Sequence, residues 1–550
     1  MRENFDVVVI GGGTTGTAAI RDLVLRGYTN SVLLERDDLA AGTSGGCHSA
    51  LHGGSRYVVT DKQTAVECLQ ENKVFREIVP QVVDPTDAMW VAKTEEQLEF
   101  AKKWMENADE IGLPYEVITP EEAVQDEPLL ADDIQFALRT IDTGFDPFRL
   151  CIAQAYDAKV KGAVIRTHSE VIDLIMEADT VKGVKVLDRK NGTIYEICAK
   201  IVVNAAGPWG SRVTEMAGFK IPVKPNKGTM GVYNMRPTKT LIGILRVPSD
   251  GDGLVSMGYQ NTSLLGTSSV DIEDPDAAVP GLDEIELMES SVEQIIPDIR
   301  NARMLRMCTG VRPLYSTTSE TGRAVSRRMI LIDHAEEHGI EGIVTITGGK
   351  YATARLMAEE TVDLVCRKLG SDAECTTHKR LIYGAQTKEE AEKDAKYIHE
   401  KYKVPLYSAH KMTARYGSRA KEIVDAAPEY SGVICECAQV IGSEVINAFQ
   451  NEEVFNIKDL RRRIRNGMGT CQGTFCTYKV AALYQKAVHA TAQEAHDQLA
   501  EYMQERWKGI YYTLQYGDQL AQAEIMQAFY VTQGSYDLLD TKPTEVIPHE

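Results

Sequence analysis

Val7-Val8-Val9-Ile10 is a short, unbroken apolar run that leads into glycine, the pattern of a parallel strand covered on both faces. From Thr14 to Arg26 the apolar positions Ala18, Ala19, Ile20, Leu23 and Leu25 recur at helical spacing, and Gly27 follows where a helix C-terminus takes glycine. Ser31 to Glu35 reads as a second strand, which completes a β-α-β unit within the first 35 residues. Two later apolar runs also stop at glycine: Ile201-Val202-Val203-Asn204-Ala205-Ala206-Gly207, and Ile343 to Ile346 ahead of Thr347-Gly348-Gly349-Lys350. Between them, over about 216–320, alternating strands and turns predict an inserted β-rich domain. Residues 386–430 are charged and helical, the stretch 431–485 holds four cysteines, and a helical pattern continues through Trp507 to about residue 535. The expected division is an α/β domain over 1–383 with its insertion, a helical connector over 384–430, a cysteine module over 431–485 and a helical tail over 486–550.

The length of 550 residues agrees with two or three cores rather than one. The formal net charge of -20 argues against nucleic acid as a partner, because phosphate-backbone binding needs a basic field. It leaves room for a small anionic substrate only where arginines cluster locally. No apolar run is long enough to span a bilayer, and the N-terminus does not read as a secretory signal. Of the 11 cysteines, seven are scattered and four are patterned, so a secreted disulfide framework is not indicated and a reducing cytoplasm is expected.

Gly11-Gly12-Gly13-Thr14-Thr15-Gly16 fits G-x-G-x-x-G through Gly11, Gly13 and Gly16. Gly11 permits the tight turn, Gly13 lets the backbone approach a pyrophosphate, and Gly16 lets the helix pack closely. Glu35 ends the second strand, where a carboxylate accepts hydrogen bonds from ribose hydroxyls and disfavours a 2′-phosphate. These residues leave FAD and NAD both open. The segment Val203-Asn204-Ala205-Ala206-Gly207 resembles the strand that flavoproteins of the glutathione-reductase type place beside their cofactor. Thr347-Gly348-Gly349-Lys350-Tyr351 resembles the helix start that faces the flavin pyrimidine and stabilises negative charge there. Those two likenesses favour FAD.

Arg56, Arg312 and Arg327 stand in glycine-rich or apolar surroundings rather than on charged faces, which points to a pocket for a phosphate ester. The segments LHGGSRY, DPFRL, NAAGPWG, GTSS, GVRP, VSRR and TGGK occur in the order found in FAD-dependent glycerol-3-phosphate dehydrogenases, and with its cysteine module the chain resembles the large subunit of the anaerobic type. The resemblance implies a Rossmann-like FAD domain of the glutathione-reductase type with an inserted β-rich substrate domain. It implies substrate contacts at Arg56, Tyr57, Arg312 and Arg327, and cofactor contacts that include Thr43, Ser44, Val171, Ala205, Gly207, Gly349 and Lys350. Met230 departs from the aerobic enzymes, which carry histidine in that stretch. For the chemistry, a hydride passes to the flavin while a base takes the hydroxyl proton; His52 is the candidate base, and Arg312 and Lys350 would stabilise the developing alkoxide.

Cys435-Glu436-Cys437 and Cys471-Gln472-Gly473-Thr474-Phe475-Cys476 make a C-x-C and C-x4-C set, unlike the C-x2-C turns that zinc prefers. The set resembles the bacterioferritin-associated-ferredoxin type of domain, which implies a 2Fe–2S cluster, with Gly467, Gly469 and Gly473 forming the turns. The basic run Asp459 to Arg465 between the pairs reads first as a solvated helix face and second as a docking site for a partner. The family likeness implies oxidation of glycerol 3-phosphate to dihydroxyacetone phosphate. Electrons would pass through the cluster to companion flavin and iron–sulfur subunits and a membrane quinone, with the chain held peripherally at the cytoplasmic membrane. The alternatives are a 2-hydroxyacid dehydrogenase, a glycerol-3-phosphate oxidase and a non-catalytic electron-transfer subunit.

Overall fold

The computed structural model describes residues 2–246, 251–256, 261–319, 322, 325, 327–514 and six positions between 520 and 528. Ser326 and most of the tail expected beyond 514 lie outside the described residues.

The N-terminal run builds the centre of an eight-stranded sheet. Strand Arg2–Ile10 pairs in parallel with Ser31–Leu34 on one side and Ile194–Asn204 on the other, and Ile343–Gly348 continues the sheet in parallel. The unbroken apolar run is explained by two covered faces. Val7, Val9 and Leu33 pack against the helices Thr14–Leu25 and Ala354–Lys368. Val8, Ile10, Val32 and Leu34 pack against the hairpin Ser169–Glu177 and Thr180–Asp188. Each glycine-terminated strand thus ends along one edge, where the chain turns into a helix or a 3-10 turn.

The second sheet is built on strand Val223–Tyr233, which pairs antiparallel with Met304–Tyr315 from Val223↔Tyr315 to Tyr233↔Met304. It is not confined to the expected 216–320 stretch. Ala88–Ala92, Tyr115–Ile118 and Phe136–Thr140 join it through a parallel pairing of Leu241–Ile244 with Ala88–Ala92. The second layer is therefore made from two chain segments; Met89 and Val91 complete the core that Ile242, Ile244 and Leu265 begin.

The connector and the cysteine module share one core. Helices Lys388–Tyr402, Leu406–Tyr416 and Arg419–Ala426 pack with Gly442–Asn451, Ile457–Ile464, Thr477–Val488 and Ala492–Ile510 around Met412, Tyr416, Val445, Leu460 and Tyr502. The basic run is neither a solvated face nor a free docking strip. Arg463 is fully buried and grips Asp38 through both oxygens, at 2.6 and 2.8 Å. Arg462 reaches the same carboxylate at 3.0 Å, and Arg465 holds Asp146 at 2.7 and 2.9 Å. Asp38 follows the Glu35 strand and Asp146 caps helix Pro147–Val160 through Phe148 and Arg149 N–H, so the run fastens the module to the α/β domain. Its charges are matched by aspartates distant in sequence, which a local reading of charge density does not see. Among the described residues no helix is long and apolar enough to cross a membrane.

Candidate active site

A cavity of about 480 Å³ lies where the sheet's strand ends meet the second layer. At one end, Gly11 takes φ +111°, and a β-carbon there would come within 2.6 Å of the Ala205 carbonyl oxygen. A β-carbon at Gly16 would overlap the Gly11 carbonyl oxygen, so Gly16 serves close packing and, unlike Gly11 and Gly13, does not line the cavity. Gly13 is the N-cap and gives the first turn no side-chain cap, so that turn's N–H groups face the space lined by Gly13, Thr14 and Thr15. Ser44 Oγ accepts from Thr14 N–H at 2.9 Å, and Thr43 Oγ1 donates to the Val311 carbonyl at 2.5 Å, which ties this loop to the second sheet. Glu35 Oε2 accepts from Gly12 N–H at 2.6 Å and Oε1 from Asp37 N–H at 2.8 Å. Burial pushes the Glu35 carboxyl up to about 7 against the pull of those two N–H groups. Val171, Ala205, Gly207 and Gly349 line the same cavity. Gly207 and Gly349 have φ +56° and +69°, and a β-carbon at Gly349 would run into the Met357 sulfur. A glycine-cleared helix start, a carboxylate at the neighbouring strand end and a second glycine turn on one wall fit a dinucleotide of FAD's size and charge.

The remaining wall is polar and cationic: His52, Arg56, Tyr57, Arg312, Arg327 and Lys350 all line this same cavity. Arg312 Nη1 donates to Asn226 Oδ1 at 2.8 Å, and Nη2 to the Ser268 carbonyl at 3.0 Å. Gly228 makes room for it, since a β-carbon there would fall 2.6 Å from Nη2. Lys350 Nζ donates to the Arg327 carbonyl at 2.9 Å and Thr64 Oγ1 at 3.0 Å, and sits 4.9 Å from the centre of the Tyr57 ring. Burial lowers the proton affinity of that ammonium. Met230 is buried and also faces the cavity, its strand position opposite Gly266 and Cys308.

Two features of the site carry no mark in the sequence motifs. Cys47 and His48, on the loop that carries Thr43 and Ser44, line the cavity, with the loop pressed onto the Met304–Tyr315 strand at Gly310. Asp142 is fully buried behind His52, its Oδ1 3.3 Å from His52 Nδ1. An isolated aspartate 90 residues from its histidine gives no local signal of that kind. Burial works to raise the Asp142 carboxyl, but hydrogen bonds from His52, Ser55 and Thr140 outweigh it and hold the group below the usual carboxylate range.

The four patterned cysteines come together as two pairs. Cys435 is hydrogen-bonded to Cys476, and Cys437 to Cys471, and each of those bonds draws its acceptor thiol down, Cys437 to about 5. Gly467 and Gly473 take positive φ, as turns around the second pair require. Gly469 does not; it leaves space for Cys437, whose Cβ would lie 2.5 Å from a β-carbon there. Asn261 Nδ2 donates to the Cys437 carbonyl at 3.2 Å and Arg303 Nη2 to the Thr470 carbonyl at 3.1 Å, so the second layer grips these loops as well.

Residues 6–364 match the FAD dependent oxidoreductase family. Over 531 residues the chain is 38% identical to the large (A) subunit of the anaerobic glycerol-3-phosphate dehydrogenase of Escherichia coli K12, covering 96% of each. It is 37% identical over 543 residues to the protein of that name from Haemophilus influenzae, covering 98% of this chain and 94% of the relative. A solved glycerol-3-phosphate dehydrogenase from Bacillus halodurans, complexed with FAD, shares the fold at a TM-score of 0.72 and 21% identity, over 92% of this chain and 95% of that one. The chain thus belongs to the FAD-dependent oxidoreductases and, among them, to the family of large (A) subunits of anaerobic glycerol-3-phosphate dehydrogenases.

Proposed function

We propose that this chain oxidises sn-glycerol 3-phosphate to dihydroxyacetone phosphate with FAD and hands the electrons on through its cysteine module. The observation that carries the reading is the single cavity: the glycine-turn wall that suits FAD and the wall bearing Arg56, Arg312, Arg327 and Lys350 enclose one space. Gly11, Gly13, Glu35, Ser44, Gly207 and Gly349 would hold FAD, which supplies a two-electron acceptor for the substrate carbon's hydride. The guanidinium groups bind the phosphate oxygens, since planar forks suit a tetrahedral dianion even in a chain of net charge -20. His52 takes the hydroxyl proton, and the Lys350 ammonium offsets negative charge as it gathers on the substrate oxygen. Tyr57 orients the Lys350 ammonium by presenting its ring face.

The cysteine pairs support a two-iron cluster over a single ion. One ion needs its donors to converge, yet no three of the four sulfurs come within 4.8 Å of one another among the described residues. Two close pairs set apart suit two thiolates for each of two irons. Such a cluster would pass electrons singly toward companion subunits and a membrane quinone, with the chain bound peripherally through those partners.

The test is anaerobic bleaching of the bound flavin by a panel of alcohols and hydroxyacids. Glycerol 3-phosphate should bleach it fast and glycerol poorly. Equal bleaching by glycerol and its phosphate ester, or bleaching by 2-hydroxyacids alone, would overturn the assignment.

A further inference from the structure

We infer that Asp142 is the positioning residue of the proton-transfer step: it sets the tautomer of His52 and compensates the charge that His52 acquires. The inference rests on the reading of His52 as base given above. Nothing in the sequence motifs marks Asp142, which lies on the turn after strand Phe136–Thr140.

The geometry leaves this carboxylate one arrangement. Asp142 is fully buried and its two oxygens face four donors: Gly53 N–H at 2.8 Å and His52 Nδ1 at 3.3 Å on Oδ1, and Thr140 Oγ1 at 2.7 Å with the Ser55 hydroxyl on Oδ2. An ionised carboxylate only accepts, so the group opposite Oδ1 must be N–H, and neutral His52 carries its proton on Nδ1. Its Nε2 is then left with a lone pair, and the ring borders the cavity that Arg312 and Lys350 also line. The ring cannot easily turn away. His48 and Tyr57 stand edge-on to it at 5.5 and 5.6 Å between ring centres, at 84° and 81°.

Two of the Asp142 donors come from the loop that carries His52, and the third side chain comes from the second sheet. The carboxylate therefore fixes the loop and the ring together. When His52 accepts the substrate's hydroxyl proton, a cation forms beside a carboxylate that burial has left poorly solvated, so the pair is favoured over an isolated imidazolium. A buried aspartate with no such duty would be an expensive ornament in a site that already holds several cations.

The test uses the full chain with its cofactors and whichever alcohol bleaches the wild-type flavin. Asp142→Asn, close in shape, should slow single-turnover flavin reduction on the order of 100-fold or more, the usual weight of a general base held in the wrong tautomer. The concentration of substrate for half-saturation should move less than threefold or so, because the phosphate-binding groups are untouched. In a His52→Ala background the same change should add almost nothing, since there is no imidazole left to orient. A structural role predicts the opposite: equal losses in both backgrounds. An independent measurement needs no variant at this position. The ¹⁵N signals of His52 in the wild-type protein, assigned by their loss in His52→Gln, should report a proton on Nδ1; a proton on Nε2 would overturn the inference. Failure of the wild type to be bleached by any alcohol would count against the function proposed above and leave this tautomer measurement to decide here.

Discussion

Replacing Arg463 with methionine tests how firmly the cysteine module is joined to the cofactor domain. Arg463 makes two hydrogen bonds to Asp38 and one to the Glu452 carbonyl, and neither charged side chain meets solvent. Removing one partner of a buried pair costs roughly 3–5 kcal/mol, because the other charge stays buried. Asp38 keeps Arg462 at 3.0 Å, which places the expected loss near the lower end, about 3 kcal/mol. At 1.4 kcal/mol for each tenfold, local opening should rise roughly 100-fold. Amide hydrogen exchange reads this directly: protection in Ile457–Ile464 and in the loop after Glu35 should fall together, while Val223–Tyr233 keeps its protection. Asp38→Leu combined with Arg463→Met should cost less than the two single changes summed, since Arg462 lies at the edge and can turn to water. Unchanged protection in Arg463→Met, or full additivity in the double variant, would refute the clamp.

Arg312→Ala should raise the half-saturating glycerol 3-phosphate concentration about 10- to 150-fold, the equivalent of 1.5–3 kcal/mol for a charge-assisted contact, measured by steady-state dye reduction. Gly228→Ala should produce a milder loss of the same kind by crowding Nη2, without removing any charge. Cys471→Ser should abolish the iron content while single-turnover bleaching by substrate survives; loss of bleaching in a folded variant would place the cluster inside the catalytic step. His334 is buried between Thr345 and His338, and burial lowers its pKa to about 4. The unfolded chain binds that proton below about pH 6.5, so stability should fall as pH drops from 6.5 toward 4, by up to about 3 kcal/mol. Denaturant midpoints across that range should flatten in His334→Gln.

The parts of the fold read most directly from the chain were those set by neighbours in sequence. The Val7–Ile10 run, the glycine turn and the helix after it follow from local pattern, and the structure places them as strand Arg2–Ile10 and helix Thr14–Leu25. The second sheet's extent was not legible, because Ala88–Ala92 finds its partner at Leu241–Ile244, and such a short apolar run does not name its neighbour. The substrate-side residues were found through their motifs; Asp142 was not, since its meaning comes only from Gly53, Ser55 and Thr140 meeting around it. The arginine run was misread for the related reason that its counter-charges, Asp38 and Asp146, lie more than 300 residues away.

The grips on the cysteine loops come from two directions: arginines reaching to the cofactor domain, and Asn261 and Arg303 reaching in from the second sheet. A carrier of electrons on a swinging arm visits donor and acceptor in turn, and its throughput depends on how fast the arm diffuses. A carrier bolted down on both sides works at one separation. Its internal transfer is then governed by the protein lying between the two centres, and thickening the solvent should leave that step untouched while slowing only the encounter with substrate and partners.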